Sequence, residues 1–463
     1  MPEQMTLPGS EPTARALAVV EPEPPGGRAQ PWMTGPVITA LAMVVATFLH
    51  RGLQDVLPNK TFAVLLLATI LATVVWASRT PTRLQGFGAV EWAMAAYLLW
   101  NVYSMFAQHE YPAVNPTTGV SHSVGQFIMV ATGIPLVMYV VGRYTFDRTW
   151  AVRSLLWTIV ILAAYSAAMS ILPVTGPKSW VWPRFIVDGS LIPGVDTWAG
   201  RAIGVFNQPV LNGMILVLGF TVAMLLASRR DEPSWRRWVA LATALACGVG
   251  IYLTYTRAVW MGAAAALILG ALLAKGYRRG FIVTIGFVAI AIATNWSRFT
   301  SSDRAAGGVG SEGEVEDRLN MIQTAIWAAE RKPLMGWGIL RFEAVNTFHH
   351  QQWTPETPFI RGYGIVSHQN EFGILAELGL VGLGLWIAII LLIAHRLLKA
   401  YQTLPDDDLC GKPLVLVAIS AFVILLISGL TVDLRFFDFT GSLIFLVVGA
   451  AVGWSDRLRR GNG

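Results

Sequence analysis

Arg201, Arg257 and His368 stand far apart in the chain, yet each has a side chain suited to anion or proton chemistry. A pair of guanidiniums is the natural reader of a diphosphate, because the planar fork matches phosphate oxygens and never loses its charge. An imidazole titrates near neutrality and can take a proton from an attacking hydroxyl. Each residue also has an ordinary reading. Arg201 opens Arg201-Ala202-Ile203-Gly204-Val205-Phe206-Asn207-Gln208-Pro209, where Gly and Pro break the backbone ahead of an apolar run, and Arg257 sits in Thr254-Tyr255-Thr256-Arg257-Ala258 between two such runs. An arginine in either place can simply snorkel to a membrane interface. His368 lies in Ser367-His368-Gln369-Asn370-Glu371-Phe372, a cluster that caps a helix start as readily as it does chemistry. What separates the readings is convergence, which depends on the elements that carry the three residues.

Those elements are membrane helices. Of 463 residues, 54% are hydrophobic and only 13% charged, about half the charged share of a soluble domain. Continuous apolar runs recur down the chain, and lipid leaves helices or closed barrels as the only backbone solutions; the absence of alternation excludes a barrel. The runs predict an all-α, polytopic integral membrane protein with about 12 transmembrane helices, near 33–50, 61–77, 87–106, 124–142, 151–172, 205–227, 238–254, 258–274, 281–294, 371–394, 413–430 and 440–455. The expected organisation is a polar tail over 1–32, a single transmembrane domain over 33–455 with a large loop at 295–370, and a short tail over 456–463.

Twelve spans put both termini on one side, and basic residues say which. The loops facing that side hold Arg79, Arg83, Arg143, Arg148, Arg229, Arg230, Arg236, Arg237, Lys275, Arg278, Arg279, Arg396, Lys399, Lys412, Arg457, Arg459 and Arg460, against about seven basic residues in the short loops opposite. Both termini are therefore expected in the cytoplasm, with Arg201, Arg257 and His368 together on the outer face. The same distribution makes the net charge of +6 a topology signal rather than a sign of nucleic acid. Cys247 and Cys410 are too few and too far apart for a disulfide framework or a metal site. No leader peptide or P-loop is apparent.

The large loop carries Val315, Leu319, Ile322 and Ile326 at helical spacing, which predicts a helix lying on the membrane surface or capping the bundle. Its acidic run, Glu312, Glu314, Glu316 and Asp317, together with Asp188 and Asp196, reads as solvated loop charge without ligand spacing for a metal. Arg361 lies seven residues before His368 and could add a phosphate contact. Asp433 and Arg435 in the last loop are expected to pair with each other in a structural role.

At these residues the chain resembles the O-antigen ligase and polymerase family of lipid-linked glycan transferases. His368-Gln369 is followed by nine residues and then by Gly379-Leu380-Val381-Gly382, similar to the family's His-(Asn/Ser/Gln)-x9-Gly-x-x-Gly. The stretch from Arg201 to Pro209 resembles its Arg-x-x-Gly-x-Phe-x-x-Pro, Thr256-Arg257 its Ser/Thr-Arg turn, and Gly336-Trp337-Gly338 its Gly-x-Gly. The likeness spans roughly residues 200–390; the first five helices share only hydropathy, and Asn370 stands one place later than the family's Asn. The resemblance implies a membrane-embedded, GT-C-like glycosyltransferase of the bacterial inner membrane, with short helices in a periplasmic loop. It further implies inverting transfer from a polyprenyl-diphosphate-linked glycan to an acceptor hydroxyl, with neither metal nor cofactor. His368 would be the catalytic base, Arg201, Arg257 and Arg361 the diphosphate ligands, and Asn207, Gln369, Asn370 and Glu371 supporting residues.

The acceptor separates a ligase, which delivers to a glycolipid core, from a polymerase of O-antigen or exopolysaccharide, which extends another lipid-linked repeat. The His-Gln-x9-Gly-x-x-Gly pattern leans toward the ligase. A secondary transporter shares the twelve-helix layout, but carriers place their polar residues near the midplane and repeat in halves, and this chain does neither.

Overall fold

The computed structural model describes residues 31–54, 56, 60–79, 86–188, 198, 200–299 and 312–461. Residues 1–30 of the expected tail, Asp196 and the segment 300–311 of the large loop fall outside them. The chain is all helical, and among the described residues the only β pairing is an isolated bridge between Val114 and Ser121. Twelve long helices coincide with the twelve expected runs: α1 (Pro31–Leu53), α2 (Thr61–Arg79), α3 (Ala89–Phe106), α4 (Val124–Thr145), α5 (Thr149–Thr175), α6 (Pro209–Ser228), α7 (Ser234–Leu253), α8 (Arg257–Leu273) and α9 (Arg278–Thr294), then, after two helices of the large loop, α12 (Asn370–Thr403), α13 (Lys412–Gly429) and α14 (Asp438–Gly461). The loop helices are α10 (Glu312–Arg331) and α11 (Phe342–Phe348). Eight of the long helices are by themselves long and apolar enough to cross a membrane; α3, α7, α8 and α9 are shorter or more polar.

Burial sorts these helices into centre and rim. α6 is buried on all sides and packs against α5, α7, α8 and α13, while α14 packs against α4 and α13. On α9 Phe281 alone is buried, and α2 exposes Val64, Leu67, Leu71 and Val74. An apolar helix face with no protein over it belongs against lipid, which is as apolar as the core.

Small residues bring α4 and α14 into close contact. A Cβ on Gly142, Gly449 or Gly453 would collide with the backbone carbonyl oxygens of Leu446, Tyr139 and Arg143 respectively. The spacing of Gly449 and Gly453 is the small-xxx-small device that lets membrane helices approach backbone to backbone. Within α4, a π turn over Met129–Gly133 precedes Pro135. Proline cannot donate to the carbonyl four residues back and its ring crowds that carbonyl, so the wider turn relieves the clash.

Several expectations shift. Arg143, expected in a cytoplasmic loop, is 6% exposed and donates from Nε to Asp456 at 3.0 Å while pairing with Glu91. Charge inside a bundle requires such partners. The expected tail at 456–463 continues α14 as helix to Gly461. The expected span at 371–394 is not one helix: Gly379, at φ +66°, breaks α12 into a short piece, 370–378, and a long apolar one, 380–403. In α10 the face turned inward is Asn320, Met321, Thr324, Ala325 and Ala328, whereas Val315 of the expected stripe is 40% exposed and Leu319, Ile322 and Ile326 are half-buried. Met321, Ala325 and Ala328 of that face pack in one buried cluster with Ala376 of the short piece of α12, while Asn320 and Thr324 bond to the loop that follows α11.

Replacing Gly449 or Gly453 by Leu should lower the unfolding temperature in detergent sharply, since overpacking costs about 1–3 kcal/mol or more where backbone is the obstacle. Gly286→Leu, where a Cβ meets nothing within 4 Å, should be silent in the same thermal melt.

Candidate functional site

The site is built around the break in α12. A helix that ends leaves carbonyls without partners, and one that begins leaves amides. Here both sets are answered by one segment: Trp337 and Gly338 donate their N–H groups to the carbonyls of Ala376 and Glu377 at 2.9 and 2.8 Å, and Leu380 donates to the Pro333 carbonyl at 2.7 Å. The two backbones lie so close that a Cβ on Gly336 would strike Glu377 and one on Gly379 would strike Leu334. Gly336-Trp337-Gly338 and Gly379-x-x-Gly382 are thus two halves of a single junction, and glycine is required for the positive φ at Gly379 as well as for the approach.

Charge pins the same junction. Arg435 donates from Nη1 to Glu377 at 2.8 Å and from Nη2 to Asp433 at 2.6 Å, all three side chains being buried. The Asp433–Arg435 pair matches the expectation; Glu377 was not singled out, and no sequence pattern marks it. Its second oxygen accepts the N–H of Phe342 at 3.3 Å, so one carboxylate ties the short helix, the start of α11 and the last loop.

The first turns of α10 gather the candidate residues. Arg201, only 5% exposed, pairs with Glu314 at 3.1 Å, its guanidinium carbon 5.4 Å from the Trp198 ring. His368 is half-buried and feels both Glu314 and Arg318. Burial and the positive charge of Arg318 push the His368 imidazole down to about 4, against a smaller upward pull from Glu314. Its ring is therefore neutral over the ordinary pH range. Arg361 pairs with Glu316 at 3.3 Å and rests against Gly313, where a Cβ would stand 2.6 Å from the guanidinium. Asp317 is held above the usual carboxylate range by burial, partly offset by Arg361. Glu314 and Glu316 are thus not the solvated charges expected from the sequence. They are the partners of Arg201 and Arg361.

Two buried asparagines set the loop that leads to His368. The Asn320 amide donates to the carbonyls of Pro358 and Arg361 at 3.1 and 3.0 Å while its oxygen accepts from Trp353 at 2.8 Å. Asn346 donates to Gly362 at 2.6 Å and to Ile365 at 3.0 Å. Sequence reasoning missed both, because asparagine in a polar loop carries no distinctive spacing.

Arg257 begins α8 and is exposed. It reaches the Arg201 segment through the preceding turn: Ala202 donates to the Leu253 carbonyl at 2.9 Å, and Tyr255, at φ +43°, reverses the chain from α7 into α8. Asn207 adopts a left-handed conformation that ends the short turn Gly204–Phe206, and its buried Oδ1 accepts no hydrogen bond among the described residues. Asn212 braces this segment with amide donations to Ala202 at 2.8 Å and to Ser170 at 2.9 Å. Gln369 is the N-cap of α12, with no side-chain capping bond; instead its N–H goes to the Ser367 hydroxyl at 3.2 Å. Asn370 and Glu371 do not join the arginines. They line a small, mostly apolar cavity with Tyr97, Trp386 and Arg435, and Glu371 accepts the Trp386 indole N–H at 3.3 Å. Among the described residues no three His, Cys, Asp or Glu side chains converge as metal ligands.

Residues 242–387 match the family model described as O-antigen ligase. That match supports an assignment to the O-antigen ligase and polymerase family. The match runs from mid-α7 through the break in α12, so Arg257, Arg361, His368 and both glycine motifs lie inside it, while Arg201 and Asn207 lie outside. The match suggests a glycosyltransferase-like membrane enzyme of the ligase or polymerase type, a family that implies a polyprenyl-linked glycan as substrate. A comparison with curated proteins found no match.

Gly379→Ala should abolish transfer and destabilise the protein, since it sets a side chain at positive φ, worth about 1–3 kcal/mol of strain, against backbone that cannot move. A thermal melt and a transfer assay on the same sample read both effects.

Proposed function

We propose that the chain transfers a glycan from a polyprenyl diphosphate to an acceptor hydroxyl at the outer face of the bacterial inner membrane, with inversion and without a metal, acting as an O-antigen ligase. The observation that carries this reading is the convergence of a buried guanidinium, Arg201, and a neutral imidazole, His368, on the same turn of α10 beside a segment matching that family. Arg201, Arg257 and Arg361 would hold the donor diphosphate and offset the negative charge that grows as the glycosidic bond breaks. The energy comes from the donor's own phosphate bond. His368 would accept or orient the proton of the attacking hydroxyl, a role open to an imidazole that is neutral before substrate arrives. Both termini would face the cytoplasm, as the basic loops indicate.

Glu314 acts in this reading as a place-holder. It compensates and orients Arg201 at a buried position where an unpaired cation would be costly. The phosphate oxygens would share or take over that partner.

The first test is transfer by purified protein in detergent with EDTA, from a polyprenyl-diphosphate-linked oligosaccharide, with the product mass naming the acceptor. Transfer should survive chelation, and His368→Ala, Arg201→Ala and Arg257→Ala should each lower it by about a hundredfold or more, the usual cost of one transition-state donor. Intact transfer in the single variants would remove the three-residue site; loss with EDTA would restore a metal.

The pH profile gives an independent check. The acid limb of kcat/KM should lie near 4, well below the ordinary imidazole range, because the free enzyme's base must be neutral. Removing the positive charge in Arg318→Ala should move that limb toward neutrality, and Glu314→Gln should move it lower still. A limb that stays put in both variants would exclude His368 as the titrating group.

A further inference from the structure

The large loop carries a second feature that transfer chemistry does not use. On the C-terminal half of α10 and the loop around it, aromatic rings lie face to face. Trp327 stacks on His349 at 4.6 Å and on Trp337 at 5.6 Å, and Tyr111 stacks on Phe348 at 5.0 Å and on Trp337 at 6.0 Å. Interplanar angles of 10° to 24° make these one layered face. Its inner ring, Trp337, is buried, but Phe348 is 57% exposed and Tyr111, Trp327 and His349 are half-buried. Polar groups rim the stack: the Tyr111 hydroxyl meets His349 Nε2 at 2.8 Å, and Lys332 sits 3.9 Å from the Trp337 ring centre while pairing with Glu110 at 3.1 Å.

Rings that merely anchor a protein at the membrane boundary hang singly from the ends of spans, as Phe106 does on α3. A layered, half-open set of ring faces edged by hydrogen-bonding groups is suited instead to a ligand whose flat C–H faces alternate with hydroxyls, which is the chemistry of a pyranose chain. Its position supports the same ligand. Trp327 lies thirteen residues along α10 from Glu314, which at the helical rise is about 20 Å. A glycan whose reducing end reacts beside Arg201 and His368 extends several sugar units over that distance.

We propose that the Tyr111, Trp327, Phe348 and His349 face is a secondary glycan-binding subsite, which holds the glycan chain several sugars from the reacting end. This rests on the transfer reading for its purpose, but not for its detection. The subsite makes no bond; it contributes binding that only a chain long enough to reach it can use, so it selects for glycan length.

The test titrates soluble oligosaccharides of graded length, released by mild acid from the native host's polyprenyl-linked glycan, into the purified full-length protein and follows tryptophan fluorescence. Wild type and His368→Ala should show the same saturable quench with long chains and none with a monosaccharide. Phe348→Ala should weaken binding about tenfold, as the loss of one stacked ring implies, and Phe348→Trp should restore it. Phe348 is exposed, so its removal leaves the fold intact; Trp327→Ala repeats the test with a thermal melt to confirm folding. In transfer assays the variants should raise KM for long donors and leave short donors and kcat unchanged. Absence of a quench at any length with folded wild type overturns the proposal, as does a quench by anionic phospholipid nanodiscs alone, which would make the face a membrane contact. An equal loss with short and long donors would reduce it to a structural role. If transfer itself is never seen while the oligosaccharides bind, the transfer reading fails and the subsite stands.

Discussion

A helix interrupted inside a protein must find partners for the carbonyls it strands and the amides it exposes, and in this chain the assembly of the large loop on the spans depends on how that is done at Gly379. The segment from Pro333 to Gly338 supplies both sets, through backbone contacts that glycine alone permits. Because the answering groups come from the large loop, the break cannot exist without the loop in place. The short helix 370–378, with His368 at its entry, is thereby fixed to the loop on one side and to the spans on the other. Glu377 adds the charge counterpart of the same lock, accepting from Arg435, which also holds Asp433, and from the first amide of α11, in a buried cluster where loss of Arg435 would strand two carboxylates.

Electrostatics then decide what the site can hold. Arginines near the membrane are tolerable only with partners, and α10 provides them in its first turns, Glu314 for Arg201 and Glu316 for Arg361. Burial, and then Arg318 on the same helix, depress the basicity of His368. One amphipathic helix thus pairs the cation and tunes the basicity of the base, two residues 167 apart in sequence. The polar end of α10 faces this chemistry, its middle is pinned through Asn320, and its far end carries the aromatic face.

Much of this was legible before any coordinates. Twelve helices lie where apolar runs bounded by charge, Pro or Gly put them, because lipid tolerates no other backbone for such runs. The amphipathic helix in the large loop exists, but its buried face is Asn320, Met321, Thr324, Ala325 and Ala328, because the polar members hold the loop that leads to His368 while Met321 and the alanines pack with Ala376. Arg143 counted as a topology signal and is instead a buried network residue, because composition records a charge but not its partner.

Sequence alone determined the class of the molecule, the positions of its long helices and the arginine and histidine motifs, because those depend on local composition and on spacing within single segments. Tertiary structure decided the rest. That Gly336-Trp337-Gly338 and Gly379-x-x-Gly382 form one junction, that Glu314 belongs to Arg201, that Asn370 and Glu371 line a cavity with Tyr97 and Arg435, and that five aromatic rings share a face are all relations between residues distant in the chain. Such relations arise from close packing and from the need to partner every buried charge and peptide group, and neither leaves a periodic trace along the sequence.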